Sequence, residues 1–199
     1  STFLQIMSYE RRTPLRAVVG FAELYNAEHN PEDEPVFAEE IKANTNVLLR
    51  LINDILFISR LDARMIEFDL QPNDFAILFD GWCYMGWSAM TQNPNMKTIV
   101  ENPYNSLIVN IDQQHLEMVV QKLCTYAAYS SRQGSEGLVR AKYEYHHGEL
   151  TITIEDNGQG LSPEARAKLF DRSSRNENEG DQQSTGLDLP IVKELVEQM

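Results

Sequence analysis

Two helical stretches at the start of the chain set the first constraint on its fold. Between Thr2 and Tyr25, residues Leu15, Val18, Val19 and Ala22 recur at the spacing of a helix with one buried face. Between Val36 and Ala63, Leu48, Leu51, Ile52 and Ile55 mark the buried face of a second, longer helix. Asn26 to Pro35 connects them, and Pro35 suits the first turn of the second helix. Two long helices with so short a link form an antiparallel hairpin. A lone hairpin cannot cover both apolar stripes, so the economical arrangement is a homodimeric four-helix bundle.

Pro14 lies inside the first helical pattern, where it removes a backbone donor and should bend the helix. Beside it, Tyr9 and Thr13 share a helix face four residues apart, with Glu10 next to the tyrosine. Taken alone, this stretch equally suits a tyrosine buried in a kinked bundle helix. The run from Tyr9 to Leu15 resembles the H-box of sensor histidine kinases, H-E-x-x-T-P-L, whose histidine takes a phosphoryl group from ATP. Glu10, Thr13, Pro14 and Leu15 keep that pattern, while Tyr9 stands at the phosphoacceptor position. The resemblance makes Tyr9, Glu10 and Thr13 the candidate catalytic residues.

Near Phe68 the pattern changes. Phe75 to Met90 reads as a helix packed on a sheet, interrupted in pattern by Gly81 and Gly86. Strands are expected at 97–101, 107–111, 138–145 and 149–155, the last two joined by a turn at His146-His147-Gly148. Helices are expected over Gln113 to Ser130, from Ser162-Pro163-Glu164, and from Leu189 onward. The polar, acidic stretch Asn176 to Ser184 reads as a mobile loop. This order gives an α+β fold. A helical hairpin over residues 1–66 precedes an α/β sandwich over residues 67–199, with helices on one face of a mixed sheet.

Within the second part, Asp156-Asn157-Gly158-Gln159-Gly160 follows a strand. A glycine-rich turn after a strand accounts for it without any ligand. It also resembles the D-x-G-x-G box of the GHKL-type ATP-binding domain that histidine kinases share with gyrase-type topoisomerases. Lys168-Leu169-Phe170 is similar to that domain's F-box, and Thr185-Gly186-Leu187 to its second glycine box, G-T-G-L-G-L. The resemblance implies ATP as cofactor, held by Asp156, Gly158, Gly160, Thr185, Gly186 and Leu187. The aspartate would accept a hydrogen bond from the adenine amine, and glycines let the backbone approach the ring.

The departures fall where phosphate chemistry belongs. The family's N-L-x-x-N-A segment, whose second asparagine gives an oxygen to Mg²⁺, is here Lys122-Leu123-Cys124-Thr125-Tyr126-Ala127. Magnesium requires hard, compact oxygen ligands in tight octahedral geometry. Tyr126 is a poor ligand of that kind, so Mg²⁺ binding is in doubt and ATP binding weakened. Lys122 would offset part of the missing cation by contacting phosphate directly. Ser184 and Asp188 replace two glycines of G-T-G-L-G-L. A carboxylate beside a triphosphate is repelled by about 1 kcal/mol per charge pair in water, and about 4 at an intermediate dielectric. Tyr9 weakens the chemistry further, because a phenol of pKa about 10 must first lose its proton to attack. None of the four histidines is placed to rescue it: His29 sits in the loop, His115 opens a helix, and His146 and His147 lie in a turn. No metal ligand set is read from the sequence.

The expected function is therefore that of a pseudokinase of the sensor histidine kinase type. It would signal by binding a response regulator receiver domain or a partner histidine kinase. The alternatives are a response-regulator phosphatase using Thr13 and an atypical active kinase. The formal charge of −13 disfavours nucleic acid, and residues 67–199 carry most of it, with 20 acidic against 10 basic groups. Cys83 and Cys124 lack C-x-x-C spacing and read as reduced core residues of a cytosolic protein. No apolar run reaches the roughly 18 residues that span a bilayer. The expected location is cytoplasmic, as such or as the cytoplasmic part of a membrane-bound sensor. The two strands that family members add after the last helix are not in the sequence, which is expected to be truncated there.

Overall fold

The computed structural model describes residues 11–27, 29–88, 95–132, 136–172 and 186–199. Tyr9, Glu10, Thr185 and the loop Asn176 to Ser184 lie outside the described residues. Helix α1 (Arg12–Asn26) packs along helix α2 (Glu34–Asp62), with a 3-10 turn, Pro31–Asp33, between them. Asn30 caps that turn by accepting from the Glu32 amide at 3.3 Å, and Pro35 sits in the first turn of α2, where its missing N–H is no loss. His29 is not the surface loop residue that the sequence implies. Its side chain is only 17 % exposed and lies between the rings of Tyr25 and Phe37, 5.7 and 5.5 Å away.

Pro14 is buried in α1, while Leu15 and Val19 on the same helix stay half exposed. The expected stripe on α2 divides. Of its four residues Leu51 is buried, Leu48 and Ile55 are half-buried and Ile52 faces outward. Beside them Ile58 and Leu61 are buried, whereas Leu49 and Leu56 face outward. The division is physical: α2 has two apolar faces, and Ile58 and Leu61 join the core of the second part of the chain. No helix among the described residues is long and apolar enough to cross a membrane.

In the second part, β1 (Gln71–Asp74) pairs antiparallel with β3 (Ile108–Ile111). A separate sheet has the order β2 (Lys97–Glu101), β4 (Leu138–His146), β5 (Glu149–Asp156), with β2 parallel and β5 antiparallel to β4. Strand β1 is absent from the sequence reading because Gln71-Pro72-Asn73-Asp74 shows no apolar alternation. At the β4–β5 hairpin both His147 and Gly148 have positive φ, 52° and 86°, as a tight primed turn requires. The remaining helices are α3 (Phe75–Ser88), α4 (Gln113–Ser130), α5 (Pro163–Ala167) and α6 (Asp188–Gln198). Ser162 caps α5 as expected, accepting from the Ala165 amide at 3.1 Å.

The core joins Phe75, Phe79 and Cys83 of α3 to Val120 and Cys124 of α4, Val139 and Tyr143 of β4, and Ile191 and Leu195 of α6. Both cysteines are free and buried. Gly86, which interrupts the helical pattern of α3, marks where α3 and α4 press together. A Cβ there would stand 2.8 Å from the Cys124 Cβ and from the Gln121 carbonyl oxygen.

Asp112 ties the two parts of the chain. It caps α4 by accepting from the His115 amide at 2.9 Å and also accepts from the Asp69 amide at 2.9 Å. Its carboxylate lies 2.8 Å from His115 Nδ1, and the His115 ring contacts Phe57 of α2 and Phe68 of the connecting segment. Burial alone would raise the Asp112 pKa, but the donors from His115 and Asp69 outweigh it and hold the carboxyl below the usual range. Such a depressed group contributes stability above its unfolded value, near 3.9, that is lost as pH falls through its folded value. Asp112→Ala is expected to cost about 2–3 kcal/mol, since it leaves a helix uncapped and buried donors unmet. Urea denaturation at pH 7 checks this, and the difference from wild type should shrink below about pH 4.

Candidate nucleotide site

The turn after β5 is built around Asp156 and Asn157. The Asp156 Oδ1 accepts from the Gly158 amide at 2.8 Å, folding the chain back at once. Asn157 fastens this turn to its surroundings: its Oδ1 accepts from the Leu138 amide at 3.0 Å, and its Nδ2 donates to the Glu136 carbonyl at 2.6 Å. Gly158 then lies against the end of α4 so closely that a Cβ would stand 1.8 Å from the Ser130 carbonyl oxygen. Gly160 has φ 73°, in the left-handed region. Beside the turn is a cleft of about 540 Å³ bordered by Tyr129, Ser130, Ser131, Arg132, Glu136, Gly158 and Gln159. The role of Asn157 is missed by sequence reading, because the D-x-G-x-G pattern leaves its second position open.

Lys122 and Tyr126 stand one turn apart on α4. Tyr126 is half-buried with its hydroxyl shielded from solvent. The Lys122 ammonium donates to Asp188, the first residue of α6, and lies 3.7 Å from Asp54 of α2. Burial by itself would lower the Lys122 pKa. Asp188, and after it Asp54, outweigh that and hold it above the ordinary lysine value. Lys122 and Asp188, read from sequence as separate influences on phosphate, are thus placed in one ion pair, with a third group from the hairpin beside them.

Gly186 has φ 67°, so the approach to α6 makes use of glycine. Leu187, in the same box, is only 1 % exposed and belongs to the core. A second link joins the hairpin to α6: Arg172 donates to both oxygens of Asp62 at 2.6 Å and to Glu194 at 3.1 Å. Asp54, Asp62 and Arg172 carry no motif, and only the folded chain brings them together. Thr13 is exposed on α1. The structure therefore gathers Lys122, Tyr126 and the start of α6 on one side of α4, and Asp156, Gly158 and Gly160 at the turn against its C-terminal end. Among the described residues no group of three or more His, Cys, Asp or Glu side chains is arranged to hold a metal ion.

This arrangement, a helical hairpin followed by a mixed-sheet domain with a glycine-bearing turn against its central helix, matches known families at both ends. Residues 1–64 match the His Kinase A (phospho-acceptor) domain. Residues 111–199 match the histidine kinase-, DNA gyrase B- and HSP90-like ATPase. The chain carries both domains and is homologous to sensor histidine kinases.

Sensor protein GacS of Pseudomonas syringae is 30 % identical over 205 residues, covering 100 % of this chain and 22 % of that protein. The chain spans about a fifth of the length of such curated relatives. Among solved structures, the Acinetobacter baumannii histidine kinase AdeS has a TM-score of 0.70 at 19 % identity, covering 94 % of this chain and 85 % of that one, a likeness of fold. Full-length ShkA, in complex with AMPPNP, has a TM-score of 0.64 at 25 % identity, covering 100 % of this chain and 42 % of that one.

Proposed function

We propose that this chain is a pseudokinase: a histidine kinase scaffold that binds adenine nucleotide weakly, without Mg²⁺, and does not phosphorylate itself. The observation that carries this reading is the placement of Lys122. Where the family's asparagine-bearing helix would face metal and phosphate, this chain has an ammonium paired with Asp188 and Asp54, one turn from Tyr126. Those side chains do not fit a divalent cation. The lysine repels it, the tyrosine is neutral and bulky, and the nearby carboxylates are engaged with the lysine. The adenine side fits better, because Asp156 is fixed at the turn and Gly158 lets the backbone come close. The ShkA complex with AMPPNP supports a nucleotide there by likeness.

In this reading residues 1–66 form the dimerisation and phosphoacceptor-like domain, and 67–199 the ATP-binding domain. The outward residues Leu15, Val19, Leu49, Ile52 and Leu56 pair with those of a second copy in a four-helix bundle. Tyr9 replaces the acceptor. Even if it were phosphorylated, the product would be a stable phosphomonoester that does not readily pass its phosphoryl group to an aspartate. Signalling then proceeds through binding of a response regulator receiver domain or a partner histidine kinase. The exposure of Thr13 favours one further reading, a response-regulator phosphatase in which that hydroxyl assists hydrolysis. Incubation with radiolabelled ATP and Mg²⁺ tests the main reading: no label on the protein is expected, and ATP-dependent label on it overturns the reading.

A further inference from the structure

The Lys122 ion pairs join three elements that are distant in sequence. Lys122 lies on α4 at the nucleotide side, Asp188 opens α6, and Asp54 belongs to the hairpin. The lysine side chain is only 19 % exposed, and those of Asp54 and Asp188 are 17 % and 25 % exposed. Ion pairs so shielded are less screened by salt than surface ones. The Asp54 contact is the longer arm at 3.7 Å, and it is the one that reaches across to the other domain. Nearby, Arg172 holds Asp62 and Glu194, and Gln198 Nε2 donates to the Leu61 carbonyl at 3.1 Å. The ATP-binding domain is thus fastened to the last turns of α2 by polar links, and one of them has its cation in the region that would meet phosphate.

We propose that Lys122 is a phosphate-sensitive latch: the triphosphate of a nucleotide draws the ammonium away from Asp54 and loosens the ATP-binding domain from the hairpin. This rests on the metal-free nucleotide reading above and adds what occupancy of that site does. Two effects act together. The incoming phosphates attract the ammonium, and their charge repels Asp54. With no metal ion to neutralise the phosphates, both effects reach the latch in full. Nucleotide occupancy becomes a change in how the two domains sit, which a signalling partner can read without any phosphoryl transfer. By linkage, whatever holds Asp54 against Lys122 must weaken nucleotide binding, and the converse.

The test uses the full chain with spin labels at two exposed positions, introduced as Lys42→Cys on α2 and Glu144→Cys on β4. Cys83 and Cys124 are fully buried and do not compete for label. Labelled protein is diluted with unlabelled protein to isolate distances within one copy. With EDTA present, ATP is expected to broaden and lengthen the distance distribution, while AMP, which lacks the outer phosphates, leaves it unchanged. Asp54→Asn is expected to show the loosened distribution without nucleotide and to bind ATP about three- to tenfold more tightly, the scale of one shielded ion pair. Asp62→Asn weakens the Arg172 link without touching Lys122, so by the same linkage it should broaden the distances and raise ATP affinity, by less than Asp54→Asn does. If ATP binds but Asp54→Asn matches wild type in both distance and affinity, the latch is wrong and the nucleotide reading stands. If ATP binds to neither protein, the nucleotide reading fails, and nucleotide control of the latch fails with it.

Discussion

Gly158→Ala is expected to abolish adenine nucleotide binding and to destabilise the chain by roughly 3 kcal/mol, the upper range for forced overpacking with loss of buried hydrogen bonds. The added methyl would stand 1.8 Å from the Ser130 carbonyl oxygen, 2.9 Å from its carbon and 2.8 Å from Asp156 Oδ1. Two of those three atoms are backbone at the end of α4, so no side-chain rotation relieves the contact. The turn must withdraw from α4, and Asn157 must give up bonds to Leu138 and Glu136. Asp156 then loses the fixed position from which it would meet the adenine amine. Gly160→Ala is the informative comparison. Its φ of 73° is unfavourable to alanine, but nothing lies within 4 Å of the new Cβ. A cost of about 1–2 kcal/mol is expected there. Urea denaturation gives both values, and equal costs would show that strain at the turn, not contact with α4, sets the need for glycine.

Tyr9→His alone is expected to leave self-phosphorylation undetectable, although it restores the residue type that the family's H-box carries. Returning imidazole to position 9 removes only the nucleophile problem, a phenol about 3 pK units from its working form at pH 7. The candidate nucleotide side still has Lys122 paired with Asp188 and Asp54, and Tyr126 at the position of the second asparagine of N-L-x-x-N-A. Catalysis of phosphoryl transfer consists almost wholly of positioning and charge neutralisation by the metal and its surroundings. Label is therefore expected only when Tyr9→His is combined with Lys122→Asn, Tyr126→Asn and Asp188→Gly. Phosphoryl transfer to the single variant would show that the ATP site is competent as it stands and that residue 9 alone silences the chain.

Much of this architecture is legible in the sequence because it follows from periodicity. The hairpin helices, α4 and the β4–β5 hairpin each carry an apolar repeat or a turn signal of their own. Strand β1 does not. Gln71-Pro72-Asn73-Asp74 is polar throughout and becomes a strand by pairing with β3. The candidate nucleotide site is legible where a motif fixes backbone geometry, as at Gly158 and Gly160. It is not legible where the arrangement depends on which charges meet, since Arg172 and Asp62 are 110 residues apart. Leu187 shows a third limit. It sits in a glycine-box pattern, yet its side chain is core, because a motif constrains the backbone path and leaves each side chain to the packing around it.

Titrating ATP calorimetrically into the folded chain, in EDTA and in excess Mg²⁺, decides whether a lysine takes the metal's place in this scaffold. Weak binding is expected, with affinities equal within about twofold in the two conditions, since about 1.4 kcal/mol of metal-dependent binding would already appear as tenfold. Binding at least tenfold tighter with Mg²⁺ would contradict it.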